Sequence, residues 1–142
     1  MNSFQELEVW KSCRELRVIV WKIAKTFPSE EKYRLADQMI RASRSVTTQI
    51  AEGFGRFHFQ ENIQYCRVSR GSLYELIDHL TVALDSEYID DKIFNEVYER
   101  IGRCLKLLNG YINYLIKAKE KSSGNQVSES ETYYGGVNES EG

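Results

Sequence analysis

Apolar residues recur at alternating steps of four and three residues along four successive segments of the chain. The pattern is clearest in the last segment, where it runs without interruption from Phe94 to Ala118. This spacing puts apolar side chains on one face of an α-helix, whereas a half-buried strand needs a period of two. Short links between such helices leave consecutive helices antiparallel. The chain is therefore predicted to be all-α, as an up-down-up-down antiparallel four-helix bundle.

Local signals set the boundaries of these helices. Pro28, the only proline, ends the first helix, because the residue before a proline is pushed out of helical geometry. Asp90 is a suitable N-cap for the fourth helix. Gly53 and Gly55 predict that the second helix stops at a left-handed residue before the chain reverses, and Gly71 predicts close packing of the third helix against the second. The predicted helices cover residues 4–26, 30–54, 59–84 and 91–119.

The composition changes at Ser122. From there onward the chain has four glutamates and no lysine or arginine, and it is rich in serine and glycine. Such a segment cannot bury enough apolar surface to offset the entropy lost on ordering. We therefore predict a bundle over residues 1–121 and an acidic, disordered tail over residues 122–142. The formal charge of −2 for the whole chain becomes +2 for the bundle, which is a weak excess for a dedicated nucleic-acid binder.

Composition also bounds the compartment and the cysteine chemistry. Apolar residues make up 42% and charged residues 28% of the chain, yet no apolar run is long enough to cross a bilayer. The N-terminus lacks the pattern of a secretion signal, so a cytoplasmic protein that does not enter a membrane is predicted. Cys13, Cys66 and Cys104 are odd in number and have no metal-type spacing. We interpret them as reduced core residues.

Several motifs together carry a family resemblance: F-P-S-E-E-K-Y-R-L, Q-M-I-R-A, I-A-E-G-F-G-R and G-S-L-Y-E-L. They resemble the four-helix-bundle proteins encoded in intervening sequences of bacterial 23S ribosomal RNA genes, over Phe4 to about Ile116. The chain departs from the family pattern at Thr47, Gln49 and Ser69. The resemblance marks these residues as characteristic of the family: Gln38, Arg41, Glu52, Gly53, Gly55, Arg56, Gly71, Ser72 and Glu75.

That family also resembles the accessory variability protein of diversity-generating retroelements. The latter forms a five-fold ring and works with reverse transcriptase and nucleic acid. The resemblance therefore implies a fold, a homopentamer and a hint of nucleic-acid binding, without assigning a cellular role.

The sequence offers no convincing catalytic constellation. A di-iron bundle needs Glu-x-x-His on two helices, and this chain has only two histidines. Gly53 and Gly55 follow a helix rather than a strand, which excludes a dinucleotide fingerprint. Cys66 with His58 or His79 resembles a nucleophile with its base, but a buried structural cysteine is the favoured interpretation. We predict no enzyme activity, no cofactor and no metal.

Two further groups of residues each have a structural and a functional interpretation. The charged group is either a salt-bridge network that joins helices 2 and 3 or a site for a charged partner. It comprises Arg41, Glu52, Arg56, Arg70 and Glu75. The aromatic group around Arg56 either seats the corner against the bundle or stacks on unpaired bases. It comprises Phe54, Phe57, His58 and Phe59. The structural interpretation is favoured for both groups.

A face of helix 1 is the candidate contact surface. It combines aromatic and basic residues at steps of four, three and four: Trp10, Arg14, Arg17 and Trp21. Helix 4 adds a second apolar stripe, Tyr98, Leu105 and Ile112, which predicts cover by another subunit. The predicted function is a non-enzymatic, homo-oligomeric interaction module. The alternative is weak, sequence-independent RNA binding through the same face of helix 1, or a role as a ribonucleoprotein accessory protein.

Overall fold

The computed structural model describes residues 3–123, and that part of the chain contains four α-helices and no strand. They are α1 (Glu8–Ala24), α2 (Leu35–Gly55), α3 (Phe59–Asp85) and α4 (Asp91–Ser122). α1 packs on α2 and α4, and α3 packs on the same two helices, so α1 and α3 lie diagonally across the bundle. The predicted four-helix bundle is confirmed. None of the helices described is long and apolar enough to cross a membrane.

The first predicted helix is interrupted near its start. Phe4–Glu6 form a 3₁₀ turn capped by the Ser3 side chain, and Leu7 is extended before α1 begins at Glu8. This break turns the N-terminal segment back onto α1 and α2, which it contacts. A continuous helix from Phe4 was therefore a wrong prediction.

The second helix begins later than predicted. Pro28 is followed by a 3₁₀ turn at Ser29–Glu31, and α2 starts only at Leu35. Within this turn, the Glu31 carboxylate accepts a hydrogen bond from the Tyr88 hydroxyl at 2.7 Å. This bond ties the turn to the link between α3 and α4. The acidic residues here serve a tertiary contact as well as a helix start.

The fourth helix begins as predicted. The Asp90 carboxylate accepts a hydrogen bond from the Ile93 amide at 2.9 Å, which confirms it as the N-cap. α4 continues to Ser122, so it is slightly longer than the prediction. Most of the predicted disordered tail, residues 124–142, lies outside the described residues.

The α2–α3 corner has a left-handed residue after α2, as predicted, but that residue is not a glycine. Gly53 and Gly55 both lie inside α2, and the residue with positive φ is Phe57, at 56°. The lack of a side chain at Gly53 serves a close approach of helices instead. A Cβ placed there would lie 2.7 Å from Asn62 Oδ1 and 2.9 Å from Tyr65 Cβ on α3.

Gly71 does not mediate the packing predicted for it. It is exposed, and a Cβ at this position would meet no atom within 4 Å. Serines make the close contacts between α3 and α2 here. The Ser69 hydroxyl donates to the Val46 carbonyl at 2.8 Å, and the Ser72 hydroxyl donates to that of Ser45 at 2.9 Å.

The core is apolar apart from a few hydrogen-bonded polar groups. Cys13, Cys66 and Cys104 are all buried and reduced, as predicted. Arg70 stands where the apolar spacing of α3 is broken, and its guanidinium donates to Asn109 Oδ1 on α4 at 2.9 Å. This bond joins two helices of the core.

Candidate functional site

The four residues of the predicted helix 1 surface are not equally exposed. Trp10 is buried, at 8% exposure, and its ring meets Phe4 edge-on at 5.3 Å between centroids. The N-terminal 3₁₀ turn thus covers an indole that was predicted to be exposed. The Arg17 guanidinium donates to the Thr47 hydroxyl at 2.9 Å and so joins α1 to α2. Only Arg14 and Trp21 face outward.

A different set of exposed residues forms the outer surface of α1. We call it the α1 outer face, and its members follow one another at steps of three and four: Lys11, Arg14, Val18, Trp21 and Lys25. Val18 and Trp21 are 41% and 42% exposed. Sequence reasoning missed Lys11, Val18 and Lys25. Their spacing of three and four residues could have identified them as one face of the helix. The sequence does not show that Phe4 covers Trp10, which leaves Trp10 out of the exposed stripe.

Two cations of the α1 outer face lie near indole rings. Lys25 Nζ lies 4.1 Å from the centroid of the Trp21 ring, and the Arg14 guanidinium lies 5.8 Å from that of Trp10. A cation over an indole face is attracted by the ring quadrupole. Lys11 forms an exposed ion pair with Glu8 at 3.5 Å. The α1 outer face therefore presents two apolar side chains among three cations, with the exposed Glu15 beside Arg14 and Val18.

Open grooves flank this face on both sides. Toward α4 lies a groove of about 840 Å³ whose lining includes Arg14, Val18 and Arg100. Toward α2 lies one of about 480 Å³ whose lining includes Trp21 and Ile40. The apolar residues of the α1 outer face are thus accessible from the side as well as from above.

The second stripe of α4 is mostly covered within the chain. Ile112 is fully buried, Leu105 is half-buried, and Tyr98 alone is exposed, at 49%. The prediction that this whole stripe needs another subunit was therefore wrong. The bundle itself uses two faces of α4, because α4 packs on both α1 and α3.

The charged group does not form one network. Arg41, whose side chain is 77% exposed, pairs with Asp37 at 3.5 Å rather than with Glu52 or Glu75. Glu75 pairs with His79 at 3.0 Å. The predicted network joining α2 and α3 was therefore wrong in most of its members.

Arg56 is the exception in that group. Its guanidinium lies 3.9 Å from the carboxylates of both Glu52 and Glu61, and it donates to the Tyr65 hydroxyl at 2.6 Å. Glu61 and Tyr65 belong to α3, so this one arginine links the end of α2 to the next helix.

The aromatic residues at the α2–α3 corner differ in their exposure. Phe54 packs edge-on against Phe4 at 6.5 Å between centroids, which supports its structural interpretation. Phe57, in contrast, is 87% exposed. It borders a groove of about 580 Å³ whose lining includes His58 and Tyr114.

The candidate nucleophile is separated from its candidate bases. The Cys66 thiol donates to Asn62 Oδ1 at 3.6 Å, whereas His79 contacts Glu75 and His58 is exposed. Burial raises the pKa of Cys66 to about 12, so the thiol stays protonated near neutral pH. Within residues 3–123, no three His, Cys, Asp or Glu side chains cluster closely enough to hold a metal ion.

Comparison with known proteins places the chain in a family. The family model of the 23S rRNA-intervening sequence protein matches residues 5–110. The chain belongs to this family. A crystal structure of an S23 ribosomal protein family member of unknown function, from Bacteroides thetaiotaomicron, is similar to the chain. The two share 20% identity with a TM-score of 0.68, over 73% of this chain and 94% of the other. No curated protein matches the chain.

Several residues that the resemblance marks as motifs of the 23S rRNA-intervening sequence protein family lie at the surface of this chain. Gln38 and Gly55 are exposed on α2, and Gly71 is exposed on α3. Burial within one chain does not explain a glycine at position 71, which reduces helix stability by about 1 kcal/mol relative to alanine. Packing of the core therefore does not account for these exposed residues.

Proposed function

We propose that this member of the 23S rRNA-intervening sequence protein family is a non-enzymatic, cytoplasmic interaction module that forms homo-oligomers through the α1 outer face. The supporting observation is the exposure of Val18 and Trp21 side by side on that face. Exposed apolar patches on soluble domains commonly mark protein interfaces. Five copies are the expected number, as the family resemblance implies.

The makeup of the face fits a specific contact between folded proteins. Trp21 is a large side chain of the kind that often dominates binding energy. Arg14 and Lys25 on either side of it supply the charged border that sets partner choice. A face of this kind is buried at its centre and remains polar at its rim.

Val18→Lys is expected to convert the oligomer to a lower mass, because it puts a charge into the apolar centre of the contact. Light scattering after size exclusion measures the mass. Tyr114→Lys is the matched control, since Tyr114 is 64% exposed but lies on α4. The control should keep the wild-type mass. A monomeric wild-type protein at tens of micromolar would contradict the proposed function.

The alternative function is weak, sequence-independent RNA binding by the same face. The observation that favours it is the exposed Trp21 indole with Lys25 Nζ 4.1 Å from its ring centroid, on a face that also carries Lys11 and Arg14. Cations bind phosphates, and an indole stacks on unpaired bases. The small net charge of the bundle permits only a few phosphate contacts, so affinity should be low and sensitive to salt.

Arg14→Glu combined with Lys25→Glu is expected to abolish such RNA binding. Arg17 is unsuitable for this test because it bonds to Thr47. Labelled single-stranded and duplex RNA would be titrated at about 50 mM and 200 mM salt. Lys92→Glu with Lys106→Glu on α4 changes the net charge equally and is the control. Absence of binding at the lower salt, or equal loss in both double variants, would argue against this face as an RNA site.

A further inference from the structure

The outer surface of α3 is a second exposed face of the bundle. We call it the α3 outer face, and its residues again follow at steps of three and four: Val68, Gly71, Glu75, Asp78, Val82 and Asp85. Val68 and Val82 are 53% and 41% exposed. The face thus combines exposed apolar side chains with carboxylates, and it contains no lysine or arginine.

Gly71 lies near the middle of this face. Apart from its chain neighbours and the adjacent backbone of α3 itself, no described atom lies within 4 Å of the position that its Cβ would take. A glycine at an exposed, mid-helical position costs helix stability without serving any contact inside the bundle. The same glycine lets the backbone of another helix approach α3 closely.

The two outer faces are complementary in charge and similar in length. The α1 outer face has three cations, Lys11, Arg14 and Lys25, of which Lys11 also pairs with Glu8. The α3 outer face has three acids, Glu75, Asp78 and Asp85, of which Glu75 also contacts His79. Each face has an exposed valine among its charges, Val18 and Val82. At a rise of about 1.5 Å per residue, the faces are about 21 Å and 26 Å long.

The position of the two faces in the bundle determines what kind of assembly they permit. α1 and α3 lie diagonally across the bundle, so their outer faces are on opposite sides of one chain and cannot pair within it. Pairing of α1 with α1 would bring like charges together, which opposes a symmetric contact. Pairing of α1 with α3 joins opposite charges and repeats from copy to copy, as in a closed ring.

We infer that the α1 outer face of one copy docks on the α3 outer face of the next copy, in a head-to-tail contact. This inference rests on the proposed function and adds the identity of the second surface. Val18 and Trp21 pack against Val68, Gly71 and Val82, and the charges of the two faces pair at the rim. Each copy then uses both faces, and each contact uses one face from each of two copies.

Charge reversal on each face tests the contact. Arg14→Glu and Asp78→Arg are each expected to raise the dissociation constant between subunits at least about tenfold, because each creates like-charge pairs. The double variant restores opposite charges and should recover the wild-type mass. Lys106→Glu, an exposed reversal on α4, is the control and should leave the mass unchanged. Sedimentation at about 50 mM salt limits screening, and circular dichroism confirms folding of each variant.

The outcomes separate the inference from the proposed function. Loss of mass in both single variants with recovery in the double variant supports the head-to-tail contact. An oligomeric wild type whose mass is insensitive to Asp78→Arg, or a double variant that fails to recover, overturns the α3 face as the docking surface. Such a result would leave self-association through α1 standing. A monomeric wild type refutes the proposed function itself.

Discussion

Gly53→Ala is expected to destabilise the chain by about 1–3 kcal/mol, although alanine is the better helix former. The added methyl would lie 2.7 Å from Asn62 Oδ1, 2.9 Å from Tyr65 Cβ and 3.1 Å from the Asn62 carbonyl oxygen. Tyr65 Cβ and the Asn62 carbonyl oxygen move only with the α3 backbone, so α2 and α3 must move apart to relieve the clash. Chemical denaturation midpoints at one protein concentration measure the effect.

Gly110→Ala is the matched control for this substitution. Gly110 is exposed within α4, and its Cβ would meet no atom within 4 Å. This variant should gain up to about 1 kcal/mol from helix propensity alone. Equal shifts of the denaturation midpoint in the two variants would show that α2 and α3 leave room for a methyl group at Gly53. Close helix packing would then not be the reason for a glycine at this position.

The contrast between Gly53 and Gly71 shows how far the sequence predicts this fold. The apolar spacing predicted four helices and their order, because it records which face of each helix is buried. The apolar spacing could not show which glycine lies where two helices approach closely. Gly53 lies at a helix crossing and Gly71 on the surface, and that difference arises only when α3 is placed on α2.

The candidate site shows the same limit at the level of side chains. The spacing of Trp10, Arg14, Arg17 and Trp21 places them on neighbouring sides of one helix. It does not reveal that Phe4 turns back to cover Trp10 or that Thr47 binds Arg17. The exposed stripe is set by these two contacts with residues outside α1. Spacing within α1 therefore predicted the helix correctly and the composition of its outer face only in part.

Charged residues were harder to predict than apolar ones for a physical reason. A long side chain such as Arg41 has several carboxylates within reach, and neighbours on its own helix require the least ordering. The structure places it against Asp37, four residues earlier. Arg56 reaches α3 because the chain reverses beside it, which brings Glu61 and Tyr65 close.

Alkaline pH is expected to destabilise the fold through Cys66. Burial raises the pKa of this thiol from 9.0 to about 12, despite the opposing effect of Arg67 and Arg70. The folded chain therefore holds the proton more tightly than the unfolded chain does. This contribution to stability is present in full below pH 9 and is lost as pH rises toward 12. The loss approaches about 1.4 kcal/mol per pH unit, or about 4 kcal/mol in all.

Comparing variants isolates this effect from other groups that titrate in alkali. Cys66→Ala is expected to be less stable at neutral pH, because it leaves a cavity, but its stability should fall less steeply above pH 9. Val46→Ala is the control, since Val46 is fully buried and has no titrating group. It should lose packing energy yet follow the wild-type pH dependence. Denaturant titrations between about pH 8 and 11 give the slopes, which the linkage relation converts to protons released. Parallel slopes for wild type and Cys66→Ala would mean that the Cys66 pKa is similar in the folded and unfolded chains.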